Sequence, residues 1–213
     1  MADIFDSIVS QQEALQSKAG EQATNLGGAE PAEHKPEILL IGCVDARLDP
    51  IADIGIPRGK ALIYRNIAAL VAKKANADGG LSVAAALEFA VGSMQVKDII
   101  VMGHTSCGGI RAFVQGDHEN THYIRDYLQP LESVRQKAIQ LGETPDEQAA
   151  DMEKAAVAMS LDNLMEYDVV VSAVNEGRLQ LHGWLIDTAS QLIWKMDKKT
   201  GGFSLISKGD GGY

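Results

Sequence analysis

Glu37-Ile38-Leu39-Leu40-Ile41-Gly42-Cys43 is a short, unbroken apolar run, the pattern of a strand covered on both faces of a parallel sheet. Ala61-Leu62-Ile63-Tyr64-Arg65 and Asp98-Ile99-Ile100-Val101-Met102-Gly103 read the same way. Between these two lies Gly80-Leu81-Ser82-Val83-Ala84-Ala85-Ala86-Leu87-Glu88-Phe89-Ala90-Val91, too long and too rich in alanine for a strand, so a helix is expected there. Strand, helix, strand in that order is a β-α-β unit, and the fold class that follows is α/β.

Working outward, Ile4, Phe5, Ile8 and Val9 fall at helical spacing, with Leu15 continuing the stripe, so an amphipathic helix is expected in the first 25 residues. Gly27, Gly28, Pro31 and Pro36 then mark a connecting loop. Beyond Cys107 a short helix is expected over 108–116, and longer ones over 121–141 and 146–174, with a loop at 142–145. The alternation of Leu179-Gln180-Leu181-His182-Gly183-Trp184-Leu185-Ile186-Asp187 predicts a strand, and Gln191–Met196 follows after a brief turn. There is no internal repeat and no low-complexity segment.

At 213 residues, with 46% hydrophobic and 23% charged side chains, the chain can bury one real core, and a single domain is the expectation. A formal net charge of -10 speaks against nucleic acid as a partner, which needs concentrated Lys and Arg. The apolar runs are too short to span a bilayer. The opening Met1-Ala2-Asp3-Ile4-Phe5-Asp6 is acidic where an export signal would be basic, so a cytoplasmic location is expected.

Only two cysteines are present, Cys43 and Cys107, and two in a chain of this kind seldom make a disulfide scaffold. Cys43 closes the first predicted strand, while His104 and Cys107 follow the third in an H-x-x-C spacing that lets one turn aim both donors at one point. That edge of an open α/β sheet is where ligands bind. Two thiolates and an imidazole suit zinc, and three protein ligands leave a fourth tetrahedral place, the pattern of a catalytic rather than a structural site. On spacing alone, two buried thiols and a satisfied loop histidine account for these residues equally well. Asp45 and Arg47, two residues apart, can pair on one face. Without the neighbouring cysteine they would read as an ordinary loop ion pair. Gly108 and Gly109 leave backbone amides at a helix start, where an oxyanion could be received.

Cys43-Val44-Asp45-Ala46-Arg47 and His104-Thr105-Ser106-Cys107-Gly108-Gly109 closely resemble the two signature segments of the β-class carbonic anhydrases. The resemblance extends to Arg65-Asn66, to Leu87-Glu88-Phe89-Ala90-Val91 and to Leu179–Trp184, covering roughly residues 34–197. It implies four parallel strands plus an antiparallel edge strand, flanked by helices, in one domain over 1–213 made of an arm (1–30) and a catalytic core (34–197). The arm's helix would pack on a partner subunit in a homodimer or homotetramer. The resemblance also implies one Zn2+ per subunit on Cys43, His104 and Cys107, an Asp45/Arg47 catalytic dyad, and a Gly108 amide facing the bicarbonate oxygen. Leu62, Ile67 and Phe89 would line the apolar substrate cleft. His34 stands where the family commonly has Gln, Leu62 where Phe is frequent, Phe89 where Tyr is frequent, and Ala69 where Asn is frequent. Leu40 replaces the Trp of an allosteric bicarbonate site, so no such site is expected.

The activity implied is reversible hydration of carbon dioxide. Alternatives on the same residues are hydrolysis of carbonyl sulfide or carbon disulfide, a non-catalytic zinc-binding sensor or assembly protein, and a redox role for the two thiols. Two thiolates neutralise a metal more fully than three imidazoles would, so its bound water should be less acidic than in a three-histidine site. Carbon dioxide hydration is therefore predicted to rise toward alkaline pH. Stopped-flow assays checking this would contradict it with a flat profile from mildly acid to alkaline conditions.

Overall fold

The computed structural model describes residues 4–19, 33–74, 77–116 and 122–206. The chain divides into two compact units, Met1–His34 and Lys35–Tyr213. In the first, helix α1 (Ile4–Ala19) carries the predicted stripe, and Ile4, Phe5, Ile8, Val9 and Leu15 are all exposed on it.

The second unit is built on a sheet. Strands β1 (Ile38–Cys43), β2 (Ala61–Asn66), β3 (Asp98–His104) and β4 (Gln180–Ile186) run parallel, and β5 (Ile193–Met196) and β6 (Phe203–Leu205) continue antiparallel, in the order β2-β1-β3-β4-β5-β6. The apolar runs of β1 and β3 lie inside the sheet, where strands are covered on both faces, and every residue of β3 is buried. The single antiparallel edge strand expected from the sequence is corrected to two. After β5, Asp197 and Gly202 close a tight turn, with the Asp197 amide donating to the Gly202 carbonyl at 2.8 Å and Gly201 at φ 72°, and the chain returns to pair Phe203 with Met196.

The remaining elements are α2 (Pro50–Ile54), α3 (Ala77–Leu87), α4 (Gly108–Gln115), α5 (His122–Leu128), α6 (Glu132–Leu141), α7 (Pro145–Leu164) and α8 (Asp168–Asn175). Three helix expectations need correction. The 80–91 helix begins earlier and widens into a π turn over Glu88–Ser93, where the Met94 amide reaches back to the Phe89 carbonyl. The 121–141 helix is split by a 3-10 turn at Gln129–Leu131, because Pro130 has no amide to continue the ladder. The 146–174 helix breaks after Leu164, and Tyr167 in the break is buried, its hydroxyl donating to the Ala72 carbonyl at 2.8 Å.

Alternation along the strands makes two cores. Leu39, Ile41, Ile99, Val101, Leu181 and Leu185 face Val83, Leu87, Val157, Leu161 and Val170. Leu40, Ile100, Met102 and Ile186 belong with Ile110, Phe113, Leu128, Met152 and the two cysteines. Helix α7 touches both, and starts from a capping box in which Thr144 and Glu147 satisfy each other's backbone amides.

Two strand glycines set how close α7 lies. A Cβ at Gly103 would come within 2.7 Å of Val157, and one at Gly183 within 2.8 Å of Leu161 and 3.0 Å of Val157. Overpacking of this kind costs about 1–3 kcal/mol, more than the roughly 0.4–1 kcal/mol that replacing a glycine recovers from the unfolded chain. Gly183→Ala is thus predicted to lower stability in urea denaturation; an unchanged or raised midpoint would show that α7 has room to spare.

Candidate metal centre

Cys43 and His104 end adjacent parallel strands, so backbone pairing alone brings them side by side at the carboxyl edge of the sheet. From His104 the chain turns through Thr105 and Ser106, the latter at φ 57°, and Cys107 enters α4 as its N-cap. The left-handed Ser106 folds Cys107 back toward His104. One ligand atom from each of Cys43, His104 and Cys107 lies within 4.8 Å of the others, and all three residues are buried.

The imidazole tests whether this set fits a metal. Its Nδ1 lies 3.0 Å from the Thr105 carbonyl, which can only accept, so Nδ1 carries the proton and Nε2 presents its lone pair. That Nε2 is buried with no hydrogen-bond partner. A buried, unpartnered nitrogen beside two thiols is costly unless a cation satisfies it, and a carbonyl on the other ring nitrogen is the usual support of a ligating histidine. The donor set fits a soft divalent ion. The Cys107 side chain beside Cys43 holds the Cys43 thiol well below the ordinary thiol range, and the same contact, with burial, pushes Cys107 up. Two sulfurs in contact oppose each other's ionisation, and a cation is what lets both ionise.

Backbone amides complete the surroundings. Those of Asp45 and Ala68 favour the ionised Cys43 sulfur, and those of Gly109 and Ile110 the ionised Cys107 sulfur. Ala68 and Ala69 sit at φ 62° and 53°, a strained conformation for alanine, in the 3-10 turn Ile67–Ala69. Asn66 clamps that turn by donating to the Leu70 carbonyl at 2.8 Å and accepting the Leu70 amide at 2.9 Å.

Asp45 is fully engaged by Arg47. Oδ1 accepts the Arg47 amide and Nε, both at 2.9 Å, and Oδ2 accepts a guanidinium NH2 at 2.7 Å while lying 3.9 Å from His104 Nε2. The guanidinium holds the Asp45 carboxyl well below the usual carboxylate range. Arg47 also donates to the Ser106 carbonyl at 2.9 Å, tying the two ligand loops together.

The other sequence candidates are dispersed. Ile67 packs with the cysteine-containing core, its side chain 2.8 Å from where a Gly109 Cβ would stand, which is why that position is glycine. Gly108 is exposed and a Cβ there would meet nothing. Leu62 packs against the opposite core, Phe89 is exposed on the π turn, and His34 is exposed in the amino-terminal unit. Two residues were given no role from sequence. Arg65 reaches from β2 to the carbonyls of Cys43 and Asp45, both at 2.7 Å, and the buried Glu153 of α7 accepts the Cys107 amide at 2.8 Å. The Arg65-Asn66 pair was a visible signal for the first; nothing in the local sequence marks the second.

A carbonic anhydrase family model matches residues 38–193. The chain is 34% identical to β carbonic anhydrase 6, mitochondrial, of Arabidopsis thaliana over 81% of its own length and 62% of the relative's. It spans half to two-thirds of the Arabidopsis relatives it matches. Among solved structures it is similar to the β-carbonic anhydrase CafA of Aspergillus fumigatus, 29% identical with a TM-score of 0.77 over 92% of each chain. It is also similar to a tetrameric β-carbonic anhydrase of Sordaria macrospora, 25% identical with a TM-score of 0.75 over 94% of this chain and 98% of that one. The matches run through the strands that deliver Cys43 and His104 to one edge, and the chain belongs to the β class of the carbonic anhydrase family.

Proposed function

We propose that this protein is a zinc-dependent carbonate dehydratase that interconverts carbon dioxide and bicarbonate. The observation that carries the reading is the buried His104 Nε2, left without a partner and converging on the Cys43 and Cys107 sulfurs. Zinc held by these three would supply an acidified water and hence hydroxide near neutral pH.

The chain's own residues do the rest. Arg47 holds Asp45 ionised and in one orientation, so Asp45 is the acceptor that turns the nucleophile's proton away from the incoming carbon. Ile67 supplies apolar wall beside Gly109, which keeps water off the carbon dioxide site. The exposed Gly108 is assigned to the bicarbonate oxygen through its amide. His34 is assigned to substrate on the resemblance alone.

Leu62 and Phe89 are assigned to the cleft of a partner subunit, because neither is packed with the cysteine-containing core of its own chain. The exposed Val44, Ile63, Leu81 and Phe89 supply apolar surface for such a dimer. The exposed apolar stripe of α1 would itself pack on a partner subunit, and the tetrameric Sordaria structure supports a larger assembly. Among the described residues no helix is long and apolar enough to cross a membrane. We place the protein in the cytoplasm, where two unpaired thiols persist as metal ligands, although the Arabidopsis relatives include mitochondrial and chloroplastic enzymes.

Metal analysis and stopped-flow carbon dioxide hydration test the reading together. The parent protein is expected to carry stoichiometric zinc, and Cys107→Ser to lose both metal and activity; a variant that kept both would remove Cys107 from the site. Asp45→Asn is expected to retain zinc while losing on the order of 10–100-fold in activity. If Asp45→Asn were as fast as the parent, the carboxylate would have no part in the chemistry.

A further inference from the structure

Among the described residues, the buried polar and charged side chains other than His104 are Asp98, Glu153, Ser160 and Asn163. Asp98 is paired with His182 at the far end of β3. The other three lie on one face of α7. Ser160 accepts the Val71 amide at 3.1 Å and Asn163 donates to the Val71 carbonyl at 2.8 Å, so this face grips the segment leaving the strained Ala68–Ala69 turn beside Cys43. Two turns back along α7, Glu153 reaches the other sulfur ligand, accepting the Cys107 amide at 2.8 Å. One helix face thus holds both the segment after the Ala68–Ala69 turn and the arm that carries Cys107.

Glu153 is not there for packing. It is only 4% exposed among small neighbours such as Ala149 and Ala156, where an apolar side chain would avoid the cost of burying a carboxyl. What it provides is an acceptor for an amide that would otherwise be buried without one. That amide belongs to the residue after Ser106, whose left-handed φ of 57° must be held by its surroundings.

We propose that Glu153 is a positioning residue of the metal centre: by accepting the Cys107 amide from across α7, its carboxyl fixes the Ser106–Cys107 turn and so the direction in which the Cys107 sulfur faces Cys43 and His104. The inference rests on the metal reading above and extends it to a residue that does not touch the ion. It requires the acceptor oxygen and not the negative charge. An amide oxygen in the same place does the same work.

The test uses full-length Glu153→Gln, which keeps an acceptor, and Glu153→Ala and Glu153→Met, which do not; the methionine variant keeps the volume if alanine fails to fold. Zn2+ affinity is read by competition with a chromophoric chelator, and the Co2+-substituted proteins by their thiolate-to-metal charge-transfer absorption. The acceptor-less variants are expected to bind Zn2+ about 10–100-fold more weakly and to show a displaced Co2+ band, while Glu153→Gln keeps the parent affinity and spectrum. Parental affinity and spectrum in Glu153→Met would overturn the proposal, as would a Glu153→Gln variant as impaired as Glu153→Met. A parent protein that binds neither ion would instead overturn the metal reading itself.

Discussion

An imidazole nitrogen buried without a partner, facing two buried thiols, is the constraint around which this fold is arranged. Left to themselves the three donors are mutually awkward. Two sulfurs cannot both ionise in contact without a counter-charge, and the nitrogen has no well-placed partner. A single cation resolves all three at once. The protein's task is to keep that pocket assembled against its own electrostatics, and most of the uncommon features of the chain serve that task.

The support comes in three layers of decreasing proximity. Backbone amides from the strained Ala68 turn and from the start of α4 point at the sulfurs. Side chains then pin the backbone that carries those amides: Asn66 on the turn, Arg65 on the Cys43–Asp45 loop, Glu153 on Cys107. Behind them, Gly103 and Gly183 let α7 lie close enough to the sheet for its polar face to arrive. Strain at Ala68, Ala69 and Ser106 is tolerable because each is held on several sides.

What could be read from the sequence follows from this layering. The runs at Ile38–Cys43 and Asp98–His104 announced central strands because burial on both faces leaves no polar position to confuse the pattern. The metal donors were legible because cysteine is scarce in this chain and H-x-x-C is short. Phe203–Leu205 escaped because three residues make too little alternation, although Gly201-Gly202 marked the turn before it. The split at Pro130 was written in the sequence and overridden by the apolar periodicity around it. Glu153, in the run Ala150-Asp151-Met152-Glu153-Lys154, looks like any solvated helix acid; only the packing of α7 turns it inward. Left-handed alanines leave no trace at all, because alanine says nothing about φ.

Arg47 has a further effect through its second attachment. Its guanidinium is docked on the Ser106 carbonyl as well as on Asp45, so one of its attachments does not depend on the carboxylate. A half-exposed guanidinium therefore stands between the two loops that carry the cysteines. In a chain of formal net charge -10, that local cation is a point where a small anion can approach a surface whose long-range field repels it.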